Sequence, residues 1–493
     1  LKEGGDLKIA IPQFQKTFFM PQSTSTGDWF AAQPVLEQLG RQLEDGSYEP
    51  WLAEKFETDA DNLTFTITLR DGVKFSDGSD CNAEVVAWNI QQYVDNGKGS
   101  EVCNPKSIEG VDDKTVKITF DEWSNIWDSA IGSVFIASKK AYDDNGEEWC
   151  KTHAVGTGPF ILDEYVTDNK VTYHKNPDYR IAGEPHIDKL EIDMMSDVNT
   201  MMSAMLNKEV GVALKFESDS IIKQLQNAGF TAIGRKTANV ADIKHIIWNS
   251  KSDKHPMGDL KVRQAIMHAI PWDDVAGALS GGIGEATPLF AAPDSWAYKE
   301  GTEFYEYNID LAKSMLAEAG YPDGFTTTLM YSNTTANQKK AEFYKQQLSE
   351  VGIDLELNGM ENAVLNEKVQ GADCAGADAE VDCYLSGWST STGDADWGLR
   401  PMLATESEPP MSYNISYYEN EKVDQLLKDG LATADEDRRG EIYAEVQDTV
   451  WKDLPLLCIA SDKNIWATSN NITGVYLLGD GSIGMRNARM AAE

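Results

Sequence analysis

The sequence is poor in positive charge. Its 43 Lys and Arg residues stand against 80 Asp and Glu residues, which gives a formal net charge of −37 at pH 7. Binding of nucleic acid or of anionic lipid depends on basic residues, so this balance argues against both as partners. The acidic residues are spread along the chain, and they predict a strongly hydrated surface.

Long apolar runs are also missing. No stretch of about 18 or more apolar residues occurs, so the sequence predicts no membrane-spanning helix. No signal peptide is visible, and we expect residues 1–5 (LKEGG) to begin a mature or trimmed domain.

Signatures of catalysis and of metal binding are lacking. Residues 387–391 (GWSTS) lack the second glycine of the G-x-S-x-G motif of α/β hydrolases. The six histidines are isolated, without the paired spacing of a zinc site: His153, His174, His186, His245, His255 and His268. Since no acid, base or nucleophile is recognisable, we expect a protein that is not an enzyme and that needs no metal or cofactor.

Cysteine is scarce, with six residues and no C-x-x-C pair. In an exported protein an even count favours disulfides, although six cysteines allow 15 full pairings. We expect Cys374 and Cys383, which are close in sequence, to form one bridge, and Cys81 and Cys103 to form a second. In a cytosolic protein all six would be ordinary buried thiols.

The chain is long enough for more than one domain. Its 493 residues exceed one usual domain of roughly 100–200 residues, so we expect two or more lobes. The first half alternates short β-type runs with turns. Residues 63–70 (LTFTITLR) predict a half-buried strand, and Asn82 is expected to cap a helix over 83–90. Further strands are predicted at 115–120, 171–174 and 189–192.

The second half follows a different rhythm, helix and then strand. A helix over 310–319 is expected to end at Gly320, before a strand over 325–331. A second helix over 338–351 is expected to end at Gly352, before a strand over 353–357. Repeated helix–glycine–strand units indicate an α/β lobe. The last long helix is predicted over 439–452.

The change of rhythm places a lobe boundary near residues 239–250. We expect lobe I over 1–243, with an inserted subdomain at about 46–155, and lobe II over 244–460. The tail, 461–493, is expected to return to lobe I. Strands near 246–248 and 459–461 would then form a hinge.

One hexapeptide, STSTGD, occurs twice, at residues 23–28 and at 389–394. Each copy is soon followed by a tryptophan, Trp29 or Trp397. Hydroxyls, a glycine, a carboxylate and an indole together suit the binding of a small zwitterion. Two unrelated polar turns are the alternative, because these residue types are common in loops.

Asp394 and Asp396 are the most enzyme-like pair of residues. Two carboxylates one residue apart suit a divalent cation, but the further ligands that such a site needs are not evident. One of the two is expected to accept a ligand ammonium, and the alternative is a structural turn or cap. A secreted hydrolase that uses both carboxylates is the alternative from a different functional class.

Several motifs resemble a known family, the extracellular solute-binding proteins of family 5, which are peptide and nickel receptors of ABC importers. The motifs run in order along nearly the whole chain: residues 48–54 (YEPWLAE), 69–78 (LRDGVKFSDG), 155–160 (VGTGPF), 261–266 (KVRQAI) and 316–322 (LAEAGYP). Residues 387–397 (GWSTSTGDADW), 325–329 (FTTTL) and 346–353 (QQLSEVGI) are most similar to the glutathione-binding branch.

The resemblance implies an α/β fold of the class II periplasmic-binding-protein type, with two lobes, an extra subdomain in lobe I, and closure on the ligand. It implies an extracytoplasmic receptor, periplasmic or a cell-surface lipoprotein. The protein would be monomeric and would deliver glutathione or a similar small peptide to the transmembrane permease subunits. A general oligopeptide or nickel-chelate receptor of the same family is the alternative.

The expected ligand-binding residues follow from the second hexapeptide, the hinge and the first hexapeptide. They are Trp388, Ser389, Thr390, Ser391, Thr392, Asp394, Asp396, Trp397, Lys244, His245, Trp248, Ser23 and Thr24. In peptide-binding members an aspartate soon after the Gly-Trp pair holds the ligand amino group, and Ser391 occupies that position here. Lys244 or His245 is expected to supply a cation, and Arg400 is a further cation without a family match.

Overall fold

The computed structural model describes thirteen stretches of the chain: residues 2–12, 16–23, 26–43, 48–216, 219–234, 242–279, 281–282, 284–291, 295–371, 376–389, 394–462, 465–477 and 483–491. The chain divides into two compact units. The first unit consists of Leu1–Lys236 and Asn464–Glu493, and the second of Thr237–Lys463. The chain therefore passes from one unit to the other twice.

The described strands are β1 (Asp6–Ile11), β2 (Glu37–Gln38), β3 (Gly40–Gln42), β4 (Tyr48–Pro50), β5 (Ala53–Asp59), β6 (Thr64–Leu69), β7 (Ser107–Gly110), β8 (Thr115–Thr119), β9 (Phe135–Ile136), β10 (Phe160–Val166), β11 (Lys170–Lys175), β12 (Lys189–Met194), β13 (Val212–Phe216), β14 (Phe230–Gly234), β15 (Asp242–Trp248), β16 (Glu285–Ala286), β17 (Phe325–Ser332), β18 (Ile353–Met360), β19 (Cys383–Ser389), β20 (Leu456–Asp462), β21 (Ile465–Ser469), β22 (Ile472–Thr473), β23 (Tyr476–Leu477), β24 (Ile483–Gly484) and β25 (Arg489–Met490).

The described α-helices are α1 (Thr26–Ala32), α2 (Ala83–Asp95), α3 (Trp127–Gly132), α4 (Lys139–Asn145), α5 (Glu147–Cys150), α6 (Val198–Leu206), α7 (Asp219–Asn227), α8 (Leu260–Ala269), α9 (Trp272–Leu279), α10 (Ile309–Glu318), α11 (Thr335–Ser349), α12 (Asn362–Gln370), α13 (Ala395–Leu403), α14 (Glu421–Ala432) and α15 (Glu436–Asp453). Across the described residues, we find no helix with both the length and the apolar character needed to cross a bilayer.

The first unit is built around a seven-stranded sheet with the order β10-β11-β12-β1-β13-β21-β14. Its strand β1 runs parallel to both neighbours, and alternate residues such as Leu7 and Ile9 enter the core. The strand β21 comes from the end of the chain and pairs with β13 and β14. A separate four-stranded sheet, β5-β6-β8-β7, packs its apolar side chains against α2.

The second unit contains a six-stranded sheet with the order β16-β20-β15-β19-β17-β18. Successive side chains of a strand point to opposite faces, and β15 shows this alternation. Ile246 and Trp248 belong to one hydrophobic cluster, whereas Ile243 and Ile247 belong to another. The sheet is therefore covered on both faces, which fits an α/β layer architecture.

The helix boundaries follow local signals. Asn82 caps α2 as predicted, with its side chain accepting a hydrogen bond from the Val85 amide at 3.1 Å. Gly320 and Gly352 have φ angles of 95° and 86°, the left-handed conformation that ends a helix. The helix α11 begins three residues before the prediction because Thr334 accepts a hydrogen bond from the Asn337 amide.

The structure contradicts one of the two predicted disulfides. No disulfide joins Cys81 to Cys103, so their predicted bridge is wrong. The two residues lie on either side of α2, whose 13 residues span roughly 20 Å, so a bridge would require the chain after α2 to return along its whole length. Cys383 also has a free thiol, and its predicted partner, Cys374, lies outside the described residues.

Candidate functional site

The second hexapeptide begins where β19 ends. Ser389 is the last residue of β19 and pairs in register with Asp242, the first residue of β15. Thr390, Ser391 and Thr392 lie outside the described residues. The strands β17, β18 and β19 are mutually parallel, so this segment follows their carboxyl ends. In open α/β sheets, ligands bind outside the carboxyl ends of the strands.

Two tryptophans stand on either side of this segment. The Trp388 Nε1 donates a hydrogen bond to the Trp397 carbonyl oxygen at 2.7 Å, and the two ring centroids are 5.6 Å apart. Tyr413 lies against Trp388 with a centroid distance of 4.6 Å. All three rings are half-buried, so they keep accessible aromatic surface. We refer to Trp388, Trp397 and Tyr413 as the aromatic wall.

Asp394 is the N-cap of α13. Its Oδ1 accepts hydrogen bonds from the Asp396 amide and from Arg439 Nη2, both at 2.9 Å. The Arg439 guanidinium is held by the Gly430 carbonyl oxygen and lies 5.1 Å from the centre of the Trp296 ring. The carboxylate of Asp394 therefore ties the start of α13 to α15.

Asp396 is buried, with a side chain only 4% exposed. The Arg400 Nε and Nη2 donate hydrogen bonds to its carboxylate at 2.9 and 2.8 Å. The Tyr443 hydroxyl donates a third hydrogen bond to it at 3.3 Å. Burial raises the pKa of Asp396, and the Arg400 guanidinium opposes that rise. A bidentate contact of this length favours the ionised pair.

These contacts support the structural alternative for both aspartates, a helix cap and an internal ion pair. They also define the role of Arg400, which binds Asp396 and donates to the Leu427 carbonyl oxygen at 2.6 Å. Catalysis by the Asp394–Asp396 pair is disfavoured, because each carboxylate is engaged by a guanidinium. Within the described stretches there is no group of three or more His, Cys, Asp or Glu residues arranged to hold a metal ion.

Lys244 lies at the same end of the sheet as the aromatic wall. It is half-buried and pairs in register with Gly387 on β19. A Cβ atom at Gly387 would lie 3.3 Å from the Lys244 Cδ and 3.7 Å from its Nζ. The Lys244 side chain therefore passes over β19 at Gly387, where no side chain occupies the space.

His245 and Trp248 lie inside the second unit. His245 is 0% exposed, and neither ring nitrogen has a hydrogen-bond partner among the described residues. Burial lowers the pKa of His245 to about 3, so the ring is neutral at ordinary pH and supplies no cation. Trp248 is buried in the core and donates its Nε1 hydrogen to the Leu454 carbonyl oxygen. Of the three residues predicted on β15, Lys244 alone is partly exposed.

The first hexapeptide is built into the first unit. Ser23 is buried, and its hydroxyl donates to Asp28 Oδ2 at 3.0 Å. Thr24 lies outside the described residues. Asp28 also accepts hydrogen bonds from the backbone amides of Lys16 and Thr17, at 2.5 and 3.3 Å. These contacts give Ser23 a structural role.

Sequence reasoning missed Arg439 and Tyr443. They lie on α15, more than 40 positions from the aspartates that they contact, so no local pattern connects them. The Asp396–Arg400 ion pair could have been predicted from the sequence. Its i,i+4 spacing is that of an ion pair on one helix face.

The family model described as "Bacterial extracellular solute-binding proteins, family 5 Middle" matches residues 47–409, well over half of the chain. This chain belongs to family 5 of the bacterial extracellular solute-binding proteins. A relative, the glutathione-binding protein GsiB of Salmonella typhi, is 32% identical to this family 5 protein over 441 residues. The match covers 87% of this chain and 83% of the relative.

Two solved structures show the fold of this family 5 protein. The ABC transporter-associated periplasmic binding protein DppA of Helicobacter pylori, in complex with the peptide STSA, has a TM-score of 0.88 and 23% identity, and the match covers 100% of this chain and 99% of that one. The oligopeptide-binding protein AppA of Bacillus subtilis, in complex with a nonapeptide, has a TM-score of 0.87 and 21% identity over 100% of both chains. The α/β fold of the class II type, predicted from the resemblance, is confirmed.

Proposed function

We propose that this protein is the extracytoplasmic receptor of an ABC importer, and that it captures glutathione or a similar small peptide. Support for the ligand comes from the 32% identity to a glutathione-binding protein over most of both chains. In this proposal the receptor is a monomer without enzymatic activity, and it hands its ligand to the permease subunits in the membrane.

The observation that carries the proposal is the placement of Lys244 across Gly387. It sets an ammonium group at the carboxyl end of β19, at the same end of the sheet as the aromatic wall but on the face opposite to Trp388, which pairs in register with Ile243. Glutathione carries two carboxylates and one ammonium, so a fixed cation is what one of its carboxylates requires. The hydroxyls of residues 389–392 are the proposed neutral hydrogen-bond donors.

The aspartates receive an indirect role in this proposal. Asp394 and Asp396 are held by Arg439 and Arg400. They are therefore proposed to position α13, and with it Trp397, rather than to contact the ligand ammonium. A general oligopeptide or a nickel chelate is the alternative ligand, and the peptides in the DppA and AppA structures support the first of these two.

Calorimetric titration of the whole chain tests the proposal, with glutathione, trialanine and a nickel–histidine complex as ligands. We expect glutathione to bind. Lys244→Met should weaken its binding by about 10- to 100-fold, which is the loss of one charge-assisted hydrogen bond. Lys244→Arg should retain most of the affinity, because it keeps the charge.

Lys251→Met is the matched control. Lys251 follows β15 in the same unit and forms ion pairs with Glu408 and Glu419, so its loss should leave the affinity unchanged. Binding of trialanine or the nickel complex without glutathione would refute the ligand and leave the receptor class intact. Unchanged glutathione binding by Lys244→Met would remove Lys244 from the site.

A further inference from the structure

Three side chains from distant parts of the sequence meet at the imidazole ring of His186, in the first unit. The His186 Nδ1 lies 3.1 Å from Glu3 Oε2, and its Nε2 lies 2.8 Å from Arg489 Nη2. The Arg489 Nη1 lies 3.5 Å from Glu3 Oε1, which closes a triangle. We refer to Glu3, His186 and Arg489 as the His186 triangle. The His186 side chain is only 11% exposed, so the ring is held inside the triangle.

The triangle joins three segments of the chain, residues 2–5, 184–188 and 483–491. The Gly4 amide donates a hydrogen bond to the His186 carbonyl oxygen at 2.7 Å. The Lys2 amide donates to the Met490 carbonyl oxygen at 2.8 Å, and Met490 belongs to β25. Residues 2–5 are therefore bound through their backbone to both other segments. The contact between the side chains of Arg489 and His186 joins those two segments directly.

The contact with Arg489 fixes the position of the ring proton of His186. A guanidinium nitrogen donates hydrogen bonds and cannot accept them, so Nε2 of the imidazole must be the acceptor and carries no proton. The ring is then neutral, and its single proton lies on Nδ1, which donates to the Glu3 carboxylate. The geometry of the triangle therefore requires the neutral form of the ring with the proton on Nδ1.

The remaining charged side chains of the three segments are Lys2, Glu184, Asp188 and Arg486. Glu184 forms an ion pair with Arg486. Asp188 Oδ2 accepts a hydrogen bond from the Gly5 amide at 3.1 Å, and Lys2 is exposed. In the part of the chain that the structure describes, the charged groups in contact with the ring are thus one carboxylate and one guanidinium, both from the triangle.

We propose that the His186 triangle is a pH-dependent clasp between residues 184–188 and β25. Histidine is the side chain that ordinarily changes its charge between about pH 5 and 8. A protonated ring donates from both nitrogens, so its Nε2–H would face the N–H groups of a second cation. Arg489 then leaves the ring, whereas Glu3 stays, because a carboxylate binds an imidazolium more strongly than a neutral imidazole.

Protonation of His186 therefore exchanges one contact for another. The stronger contact with Glu3 opposes the lost contact with Arg489 in the free energy of unfolding, so we expect a local opening of residues 483–491 and little change in global stability. Such local opening is what hydrogen exchange detects. The triangle lies in the first unit, whereas Lys244 and the aromatic wall lie in the second, so the inference is independent of the proposed function.

Nitrogen-15 NMR of the whole chain, labelled at histidine, tests the position of the proton. At pH 8 we expect the His186 ring to carry its proton on Nδ1 and to have an unprotonated Nε2. The His186→Gln variant assigns the signal, because the signal disappears in its spectrum. A neutral His186 ring with its proton on Nε2 would overturn the inference.

Hydrogen exchange at pH 8 and pH 5 tests the clasp, with mass spectrometry of peptides over residues 484–491 and rates corrected for the intrinsic effect of pH. We expect protection of this segment to fall about tenfold at pH 5, which corresponds to the loss of one hydrogen bond that involves a charged group. His186→Gln should remove the pH effect, since its carboxamide oxygen accepts from Arg489 at both pH values. Arg489→Gln should exchange rapidly at both.

His174→Gln is the matched control. The His174 Nδ1 lies 2.6 Å from Asp163 Oδ1 in the same unit, so this variant removes another histidine paired with a carboxylate. The pH effect on residues 484–491 should persist in it. Equal protection of the unsubstituted protein at both pH values, or a pH effect that survives in His186→Gln, would overturn the inference. An equal fall in protection along the whole chain would also overturn it, because it indicates a global change.

Discussion

The two copies of the hexapeptide have the same six residues and different surroundings. Asp28, at the end of the first copy, is 0% exposed and accepts hydrogen bonds from the amides of Lys16 and Thr17. Asp394, at the end of the second, accepts from the side chain of Arg439. One aspartate is therefore held by the chain just before it, and the other by a distant helix.

The copies also begin their helices at different positions. The helix α1 begins at Thr26, inside the first copy, so that Asp28 lies in the first turn. The helix α13 begins at Ala395, one residue after the second copy, so that Asp394 is the N-cap. Both positions favour a carboxylate, because the N-terminus of a helix presents unpaired N–H groups. The shared sequence marks a helix start but leaves its register open.

The sharpest test removes the carboxylate of Asp396, which lies two residues after the second copy and accepts hydrogen bonds from Arg400. Asp396→Ala should lower the free energy of unfolding by about 3–5 kcal/mol, because Arg400 would be left buried without its partner. Urea denaturation followed by circular dichroism measures the change. Glu406→Ala is the matched control, since Glu406 contacts the same arginine at 3.5 Å with a 65% exposed side chain.

The control should cost less than about 1 kcal/mol, as exposed ion pairs contribute little. Equal losses in the Asp396 and Glu406 variants would show that burial of the Asp396–Arg400 pair does not control its contribution.

The second test concerns the copy that binds backbone amides. Asp28→Ala should lower the free energy of unfolding by about 2–3 kcal/mol, because the amides of Lys16 and Thr17 lose the acceptor that Asp28 provides. Ser23→Ala removes one neutral hydrogen bond to the same carboxylate and should cost only about 1 kcal/mol. A larger loss in the Ser23 variant than in the Asp28 variant would contradict this assignment.

The third test separates charge from capping in the second copy. Asp394→Asn keeps a good N-cap and removes only the charge that faces Arg439, so the expected loss is about 1–2 kcal/mol. Asp394→Ala should cost about 1 kcal/mol more, through the lost cap. If the two variants are equally stable, the cap contributes nothing and the ion pair accounts for the whole effect.

The smallest effect is expected at Asp193, a carboxylate of the first unit with a carboxylate neighbour. Burial and the charge of Glu191 raise the pKa of Asp193 to about 6, against the opposing charges of Lys8 and Lys170. In the unfolded chain the pKa is about 4. The protonated form therefore favours the folded state, and its contribution is present below pH 4 and is lost as the pH rises through about 6.

Asp193→Asn mimics the protonated form. Relative to the unsubstituted protein, we expect its free energy of unfolding to be about 1 kcal/mol higher at pH 7 and equal at pH 4, after allowance for solvent screening of this half-buried group. Urea titrations at the two pH values measure the difference. A difference that does not change with pH would refute the raised pKa.

Much of the fold could be predicted from local signals. Asn82 begins a helix, and Gly320 and Gly352 end helices, because each effect depends on the conformation or side chain of the residue itself. The strand at 64–69 follows from the alternation of apolar and polar residues. The wrong pairing of Cys81 with Cys103 shows the limit, since local signals predict the helix between them but not how close its two flanking segments come.

The candidate site could be predicted only in part. The segment after Gly387 was identified from its composition and its resemblance to family 5, and the structure sets its described ends beside an aromatic wall and Lys244. The partners of Asp394 and Asp396 were not identified. Arg439 approaches from another helix, and a single sequence contains no signal for that contact.

The sequence by itself determined the family, the helix and strand signals, and the charge balance, because these depend on residue types and on short spacings. Tertiary structure alone decided how each of these ionisable groups is held. It buries His245 as a neutral ring, engages Asp394 and Asp396 with arginines, and lays Lys244 across a glycine. Burial and distant partners set the state of an ionisable group, and both arise only when remote parts of the chain pack together.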